Sequence, residues 1–295
     1  MQLVTIECRE VAGRPGVITA GGEILDLAAA PTTLDQAQWI PPSVVSILAA
    51  GEEGRERVQR LLDSAAEADP QQLREAGVLL PTDQTRLMAP VRRPGLVLIL
   101  ESDRAALGEP DPVAYIKSPN TVVGPATMVT VPWRAAQGLS ARPLLGAVLG
   151  RPLHLAGTED AAAAIAAYTL LLDLSRPHPE GAVDAAGWRA YQDSKQFPGA
   201  CPIGPALVTA DELAGESGLT IVLAVNGVEG TRIDHDLLDV PATLAGLSQR
   251  FGFRPGDVIG FDLPLGAEDQ REYRDGDTVA VEFEGCMRLE TRLRF

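Results

Sequence analysis

The chain has 295 residues, room for one large domain or a small one beside a larger one, and enough to bury a sizeable core. Its 40 acidic residues exceed its 25 basic ones by 15, which argues against a nucleic-acid backbone or an anionic membrane as partner, because both call for a basic surface. Apolar residues make up 45% and charged residues 22%, a globular balance that excludes wholesale disorder, so a small-molecule or protein partner is favoured.

In chain order, Leu3–Ile6, Gly16–Ile18 and Ile24–Leu27 read as short strands, with Gly21-Gly22 suited to a hairpin turn. Ser43 is placed to cap a helix through Ala50. Glu52–Ala68 carries Val58, Leu61, Leu62 and Ala65 at helical spacing, with Pro70 expected to stop it. Pro81, Pro90 and Pro94 then punctuate the passage to an apolar strand, Leu96–Leu100, which sets a boundary near residue 90: a small leading domain, 1–90, and a larger one, 91–295. In the larger part Val122-Val123, Met128–Val131, Leu144–Leu149, Tyr168–Leu174, Leu219–Val225 and Thr278–Phe283 read as strands. Three helices are expected among them: one capped by Thr158 and continued by alanines to Ala167, one over Asp184–Tyr191, and one over Thr243–Phe251 ended by Gly252. Few helices among many strands, without regular alternation, indicate a mixed α+β fold of rolled sheets rather than a doubly wound one.

No apolar run approaches the about 18 residues of a membrane span, and Met1–Glu7 lacks a basic n-region and cleavage site, so a cytoplasmic location is expected. Cys8, Cys201 and Cys286 are odd in number and widely spaced, which suits packed thiols rather than disulfides or a thiolate metal site. His154, His178 and His235 form no metal-ligand spacing. One compositional fact is sharper. Of 25 basic residues only Lys117 and Lys195 are lysine, and in so arginine-rich a chain these two mark places where a compact ammonium is wanted.

Several stretches, in order, resemble the fumarylacetoacetate hydrolase superfamily. They are Leu87–Pro94, Tyr115–Gly124 with its lysine, Tyr168–Ser175, Lys195-Gln196-Phe197 followed by Cys201–Pro205, Val225-Asn226-Gly227, Pro255–Ile259 and Asp275–Val279. The likeness implies a β-roll catalytic domain behind a small N-terminal α/β module, a homodimer, and action on small 1,3-dicarbonyl or 2-oxo acids. It also implies magnesium held by three carboxylates, two from an ExE pair and one from the aspartate of a later strand, since magnesium requires hard oxygen ligands.

Aligned on Leu145–Arg151, the pair falls on Arg142 and Leu144, a cation and a hydrocarbon, and only Asp173 of the three remains. No tightly bound metal is therefore expected, and Arg142 is expected to fill the vacant charge site by pairing with Asp173. The family's water-activating histidine and glutamate are missing in register from Ile99–Leu107, where Glu101 and Asp103 are displaced acids. The family's substrate-carboxylate stretch here reads Phe261-Asp262-Leu263-Pro264. Lys195, Asp173 and Lys117 are the expected catalytic groups. Lys195 is the general base or enolate-stabilising cation, and Asp173 either orients it or accepts a proton. Arg142, Tyr168, Ser140 and Asp262 are candidates for substrate binding, with His178 a weaker one. Two readings of different class follow: a metal-independent acid–base enzyme on a β-dicarbonyl or enol substrate (isomerisation, cyclisation, dehydration or decarboxylation), or an inactive binding or scaffold protein. A residual metal-dependent hydrolase is a third.

Overall fold

The computed structural model describes residues 1–8, 13–36, 38–101, 113–134, 138–176, 185–213, 219–235, 239–263 and 273–295. Strands β1 (Gln2–Ile6), β2 (Arg14–Ile18) and β3 (Ile24–Asp26) form an antiparallel meander, turning at Gly21-Gly22 as the sequence suggests. Helix α1 (Ala30–Thr33) follows. Helix α2 (Val44–Ala49) is capped by Ser43, whose hydroxyl accepts from the Ser46 amide while Ser46 reaches back to the Ser43 amide. Helix α3 (Gly51–Glu67) buries Val58, Leu61 and Ala65. Pro70 does not merely end it: Asp69 caps a further helix, α4 (Pro70–Glu75), with Pro70 at the first position, where its missing N–H costs nothing. Two short strands, β4 (Leu79–Leu80) and β5 (Leu87–Met88), return to the meander.

The larger part opens with β6 (Val97–Glu101) and β7 (Val113–Lys117). A 3-10 turn over Pro119–Thr121 leads into β8 (Val122–Val123), then β9 (Thr127–Thr130) and β10 (Ser140–Leu149). Helix α5 (Thr158–Ala164) has Gly157, not Thr158, as its N-cap, and it stops three residues short of Ala167. Strand β11 (Ile165–Ser175) begins there because Ile165 pairs with Leu149, and sheet pairing overrides the helical preference of Ala166 and Ala167. Helix α6 (Ala185–Ser194) matches the expected second helix, whose expected start, Asp184, lies outside the described residues. Strands β12 (Cys201–Thr209), β13 (Leu219–Val225) and β14 (Val228–His235) precede α7 (Val240–Ser248), which starts and ends about three residues before its expected limits. Then come β15 (Val258–Asp262), β16 (Thr278–Phe283) and β17 (Met287–Arg294).

These strands make two sheets. The larger runs β4-β3-β2-β1-β12-β11-β10-β15-β6-β7, with β5 on β1 and β8 on β12. The smaller runs β14-β13-β16-β17-β9. The leading meander is continuous with the rest, because β1 pairs with β12. The path from β12 through β7 does not stay open: β8, joined to β7 by the 3-10 turn, pairs in parallel with β12 and closes the strands into a roll. Odd and even positions then face two cores. Leu98, Leu145, Leu170, Leu172 and Ile259 lie in one, with the smaller sheet, α5 and α7. Val97, Ile99, Leu144, Leu171 and Ile203 lie in the other, with α2 and α3. This mixed α+β roll is the expected fold class.

The join between α2 and α3 depends on Gly54, where an added Cβ would lie 2.2 Å from the carbonyl oxygen of Ile47. The Gly54→Ala substitution gains about 1 kcal/mol of helix propensity. It collides with backbone that no rotamer change can move, and overpacking of that kind costs about 1–3 kcal/mol. We expect a net loss of stability of about 1 kcal/mol in urea denaturation; a more stable variant would show that α2 yields freely.

Candidate functional site

Inside the roll the chain's only two lysines converge on one carboxylate. Lys117, at the end of β7, donates to Asp173 Oδ1, and Lys195, immediately after α6, donates to Asp173 Oδ2 at 2.7 Å. The Tyr115 hydroxyl, two residues before Lys117 and therefore on the same face of β7, donates to Asp173 Oδ2 as well. The Lys117 ammonium also lies 3.5 Å from the Leu174 carbonyl oxygen, and the Lys195 ammonium sits 4.7 Å from the centre of the Tyr115 ring. Lys117, Asp173 and Lys195 are all fully buried.

The roll is what makes this contact possible. Along the sheet β7 is four steps from β11, about 19 Å if the sheet were flat at ~4.8 Å per strand, far beyond the reach of a side chain. Curling brings the two strands face to face across the interior. Gln196 fixes the meeting: its side-chain oxygen accepts from the Ser118 amide at 2.8 Å and its amide nitrogen donates to the Ile116 carbonyl at 3.2 Å, so the residue after Lys195 grips the chain on both sides of Lys117. Phe197 then anchors the segment edge-on against Trp133, with ring centres 5.2 Å apart.

Burial pushes the Asp173 carboxyl up, but the two ammoniums beside it more than offset this and hold it well below the usual carboxylate range. It is thus a fixed anion whose oxygens are both committed to donors. The neighbouring Cys201 thiol is pushed up to about 12, chiefly by burial, with Lys117 lowering it and Asp173 raising it, so it is inert as a nucleophile, as expected of a packed thiol.

Of the other expected site residues, Arg142 and Asp262 are brought to this face but pair with each other. The Arg142 guanidinium donates to Asp262 Oδ2 at 2.8 Å. The expected Arg142–Asp173 salt bridge is therefore replaced. Arg142 lies directly across from Asp173 on β10, yet the lysines and Tyr115 already occupy the aspartate, and β15 offers a second carboxylate on the opposite side. The pairing also offsets the negative charge that Asp262 brings to the stretch that the resemblance assigns to a substrate carboxylate. Ser140 is on the face of β10 that carries Arg142, opposite Ser175. Tyr168 is not in the site: it points into the other core, beside Leu170 and Leu172, where burial raises its phenol. Asp103 and His178 lie outside the described residues. Sequence reading missed Tyr115, Gln196 and Ser175. The first two are each within two residues of a lysine, and that adjacency was the available signal. Ser175 is fully buried on the Asp173 face, and its hydroxyl makes no hydrogen bond with any described residue.

The three positions that the family resemblance assigns to magnesium ligands do not fit that ion. Arg142 is a paired cation, Leu144 is buried among hydrocarbon, and Asp173 has lysines on both oxygens. No group of three or more His, Cys, Asp or Glu placed to hold a metal occurs among the described residues.

A rolled α+β sheet enclosing a buried lysine–aspartate–lysine cluster defines the class of fold. Residues 90–294 match the family model for the fumarylacetoacetate (FAA) hydrolase C-terminal domain, and the chain belongs to that family. It is 28% identical to fumarylacetoacetate hydrolase domain-containing protein 2 of Pongo abelii over 305 residues, covering 96% of this chain and 88% of that protein. It is 26% identical to a mitochondrial oxaloacetate tautomerase of Bos taurus over the same shares. Among solved structures, maleylpyruvate hydrolase from Sphingobium sp. SYK-6 superimposes with a TM-score of 0.74 at 23% identity, covering 100% of this chain and 99% of that one. No described helix is long and apolar enough to cross a membrane.

The charge count makes removal of the members unequal. Asp173→Asn leaves two buried ammoniums without an anion and should cost about 3–5 kcal/mol, whereas replacing all three by Met, Leu and Met should recover most of that loss. Equal stability of Asp173→Asn and the parent in denaturant titration would contradict the burial. Because the folded-state carboxyl is depressed, its contribution is present above the unfolded value near 4 and is lost as pH falls through the folded one. Stability should therefore decline as pH drops below about 4, and the triple variant should flatten that part of the profile.

Proposed function

We propose that this chain is a metal-independent enzyme of its family, performing acid–base chemistry on a small anionic β-dicarbonyl or enol substrate, with keto–enol isomerisation as its reaction. The observation that carries this reading is the burial of both lysines of an arginine-rich chain on a single carboxylate. Two formal positive charges against one negative leave the cluster cationic, matching the charge that develops on a carbonyl oxygen when a neighbouring carbon loses its proton. Isomerisation needs one proton to leave carbon and one to arrive on oxygen: Lys195 as the amine takes the first and, as the ammonium it becomes, returns it to oxygen, so the cationic cluster is the state that faces the enolate. Lys195 is assigned the proton transfer and Lys117 the developing oxyanion. Asp173, held ionised, is a poor proton acceptor; it and Tyr115 position the two lysines. Cyclisation, dehydration and decarboxylation through the same enolate belong to the wider set. The relatives named oxaloacetate tautomerases support the choice.

The reading that the chain is a binding protein without turnover draws on one observation: Asp173 is already satisfied by its own chain. A panel of small β-dicarbonyl acids, oxaloacetate included, followed by enol absorbance, separates the two. Lys195→Met should lower turnover by about 10²–10⁴-fold, and since it leaves a neutral Lys117–Asp173 pair its melting temperature should stay near the parent's. No turnover across the panel would favour the binding reading, and an unchanged rate in Lys195→Met would remove Lys195 from the mechanism. Dialysis against chelator should leave the rate unaltered; loss restored by magnesium would establish the metal-dependent hydrolase instead. Cytoplasmic residence and a homodimer are part of the same proposal.

A further inference from the structure

At the end of β15 remote from Asp262, a cavity of about 340 Å³ opens between the start of β2, the segment leading into β6 and the turn before β15. Gly256, on its wall, is six residues from Asp262, about 20 Å along an extended strand, so this cavity is separate from the lysine cluster. Three arginines line it, Arg14, Arg92 and Arg93, and none of the described residues lining it is acidic. In a chain with a net charge of −15, such convergence is against the general balance.

The arginines differ in how they are satisfied. Arg14 pairs through one terminal nitrogen with the buried Asp26 carboxylate at 3.0 Å, yet its Nε is buried without any hydrogen bond. Arg92, half-buried, and Arg93, exposed, form no ion pair among the described residues. Asp26 offsets the charge of Arg14, and Arg92 and Arg93 bring two further positive charges to the same small space, Arg92 also bordering the neighbouring cavity lined by Glu7 and Asp83. The other walls are mostly apolar, with Pro15, Pro90 and Pro255 prominent beside Thr5 and Ser43.

We infer that this cavity binds a dianionic phosphate monoester, its phosphoryl group held by the three guanidiniums and its organic part resting on the prolines. A phosphate monoester carries about −1.5 to −2 charges at neutral pH on one compact centre, matching the two unpaired arginines. Guanidinium forks engage its oxygens in pairs through their terminal nitrogens. A dicarboxylate of equal charge spreads it over two centres and suits one compact cluster less well. The bound ester would tie the leading strands, through Arg14, to the lead-in of the larger part, through Arg92 and Arg93.

The test is calorimetric titration of the full chain with phenyl phosphate at fixed ionic strength, accompanied by thermal melts. Saturable binding and a raised melting temperature are expected for the parent and for Lys195→Met. The Arg92→Gln/Arg93→Gln variant, whose changed side chains are not in the core, should keep its circular dichroism and lose at least tenfold in affinity. Undiminished affinity in that double variant, loss of binding in Lys195→Met, no binding by the parent, or malonate binding as tightly as phenyl phosphate would each overturn the assignment.

Discussion

The contact on which the site depends is the ion cluster of Lys117 and Lys195 around Asp173. Three charged groups fully removed from water carry a desolvation cost of several kcal/mol each, which only close pairing and hydrogen bonds can offset. The surrounding architecture supplies that pairing. Closure of the roll by β8 on β12 brings β7 over β11, Gln196 clamps the two lysine-bearing segments together, and Tyr115 adds a donor to the carboxylate. Leucine side chains fill the space beneath: an added Cβ at Gly146 would stand 2.1 Å from Leu171, so the apolar floor has no slack for Asp173 to move away from its partners.

Substitution at the two glutamate positions of the family is coherent with this floor rather than a simple loss. Leu144 extends the apolar packing up to the edge of the cluster, in contact range of the Gly260 position, where a Cβ would meet it at 3.0 Å. Arg142, on the same strand face, needs an anion, and Asp262 on β15 supplies one at 2.8 Å. Each change has its compensation on the neighbouring strand, which is how a sheet absorbs a swap from carboxylate to cation.

The fold was largely legible because its motifs occur in order and because strands such as Leu219–Val225 and Thr278–Phe283 are β-branched runs bounded by turns. Strand β12 was not read as one: Pro202, Gly204 and Pro205 interrupt its pattern, and its place is set by β1 and β11 on either side. Strand β17 was overlooked although its residues alternate strictly between buried and exposed, because every exposed position is charged and the stretch looks polar overall. Within the site, the scarcity of lysine singled out Lys117 and Lys195 from composition alone. The partner of Arg142 was not legible, since the choice between Asp173 and Asp262 turns on which carboxylate the lysines reach first. Tyr168 was misjudged because its resemblance to a family strand says nothing of which face it takes, and it lies on the opposite one from Asp173.

A count of formal charge links what the site has lost to what it has kept. In the arrangement the family resemblance implies, three carboxylates, one divalent ion and two lysines sum to one positive charge. Here Lys117, Lys195 and Arg142 against Asp173 and Asp262 also sum to one positive charge. Loss of the glutamates alone, with both lysines and Arg142 in place, would have left three positive charges facing Asp173 alone, a net excess of two that a buried interior resists. Asp262 removes one of them. The interior thus carries the same overall sign that it would with the metal the resemblance implies, reached here through amine and guanidinium groups held by carboxylates on neighbouring strands.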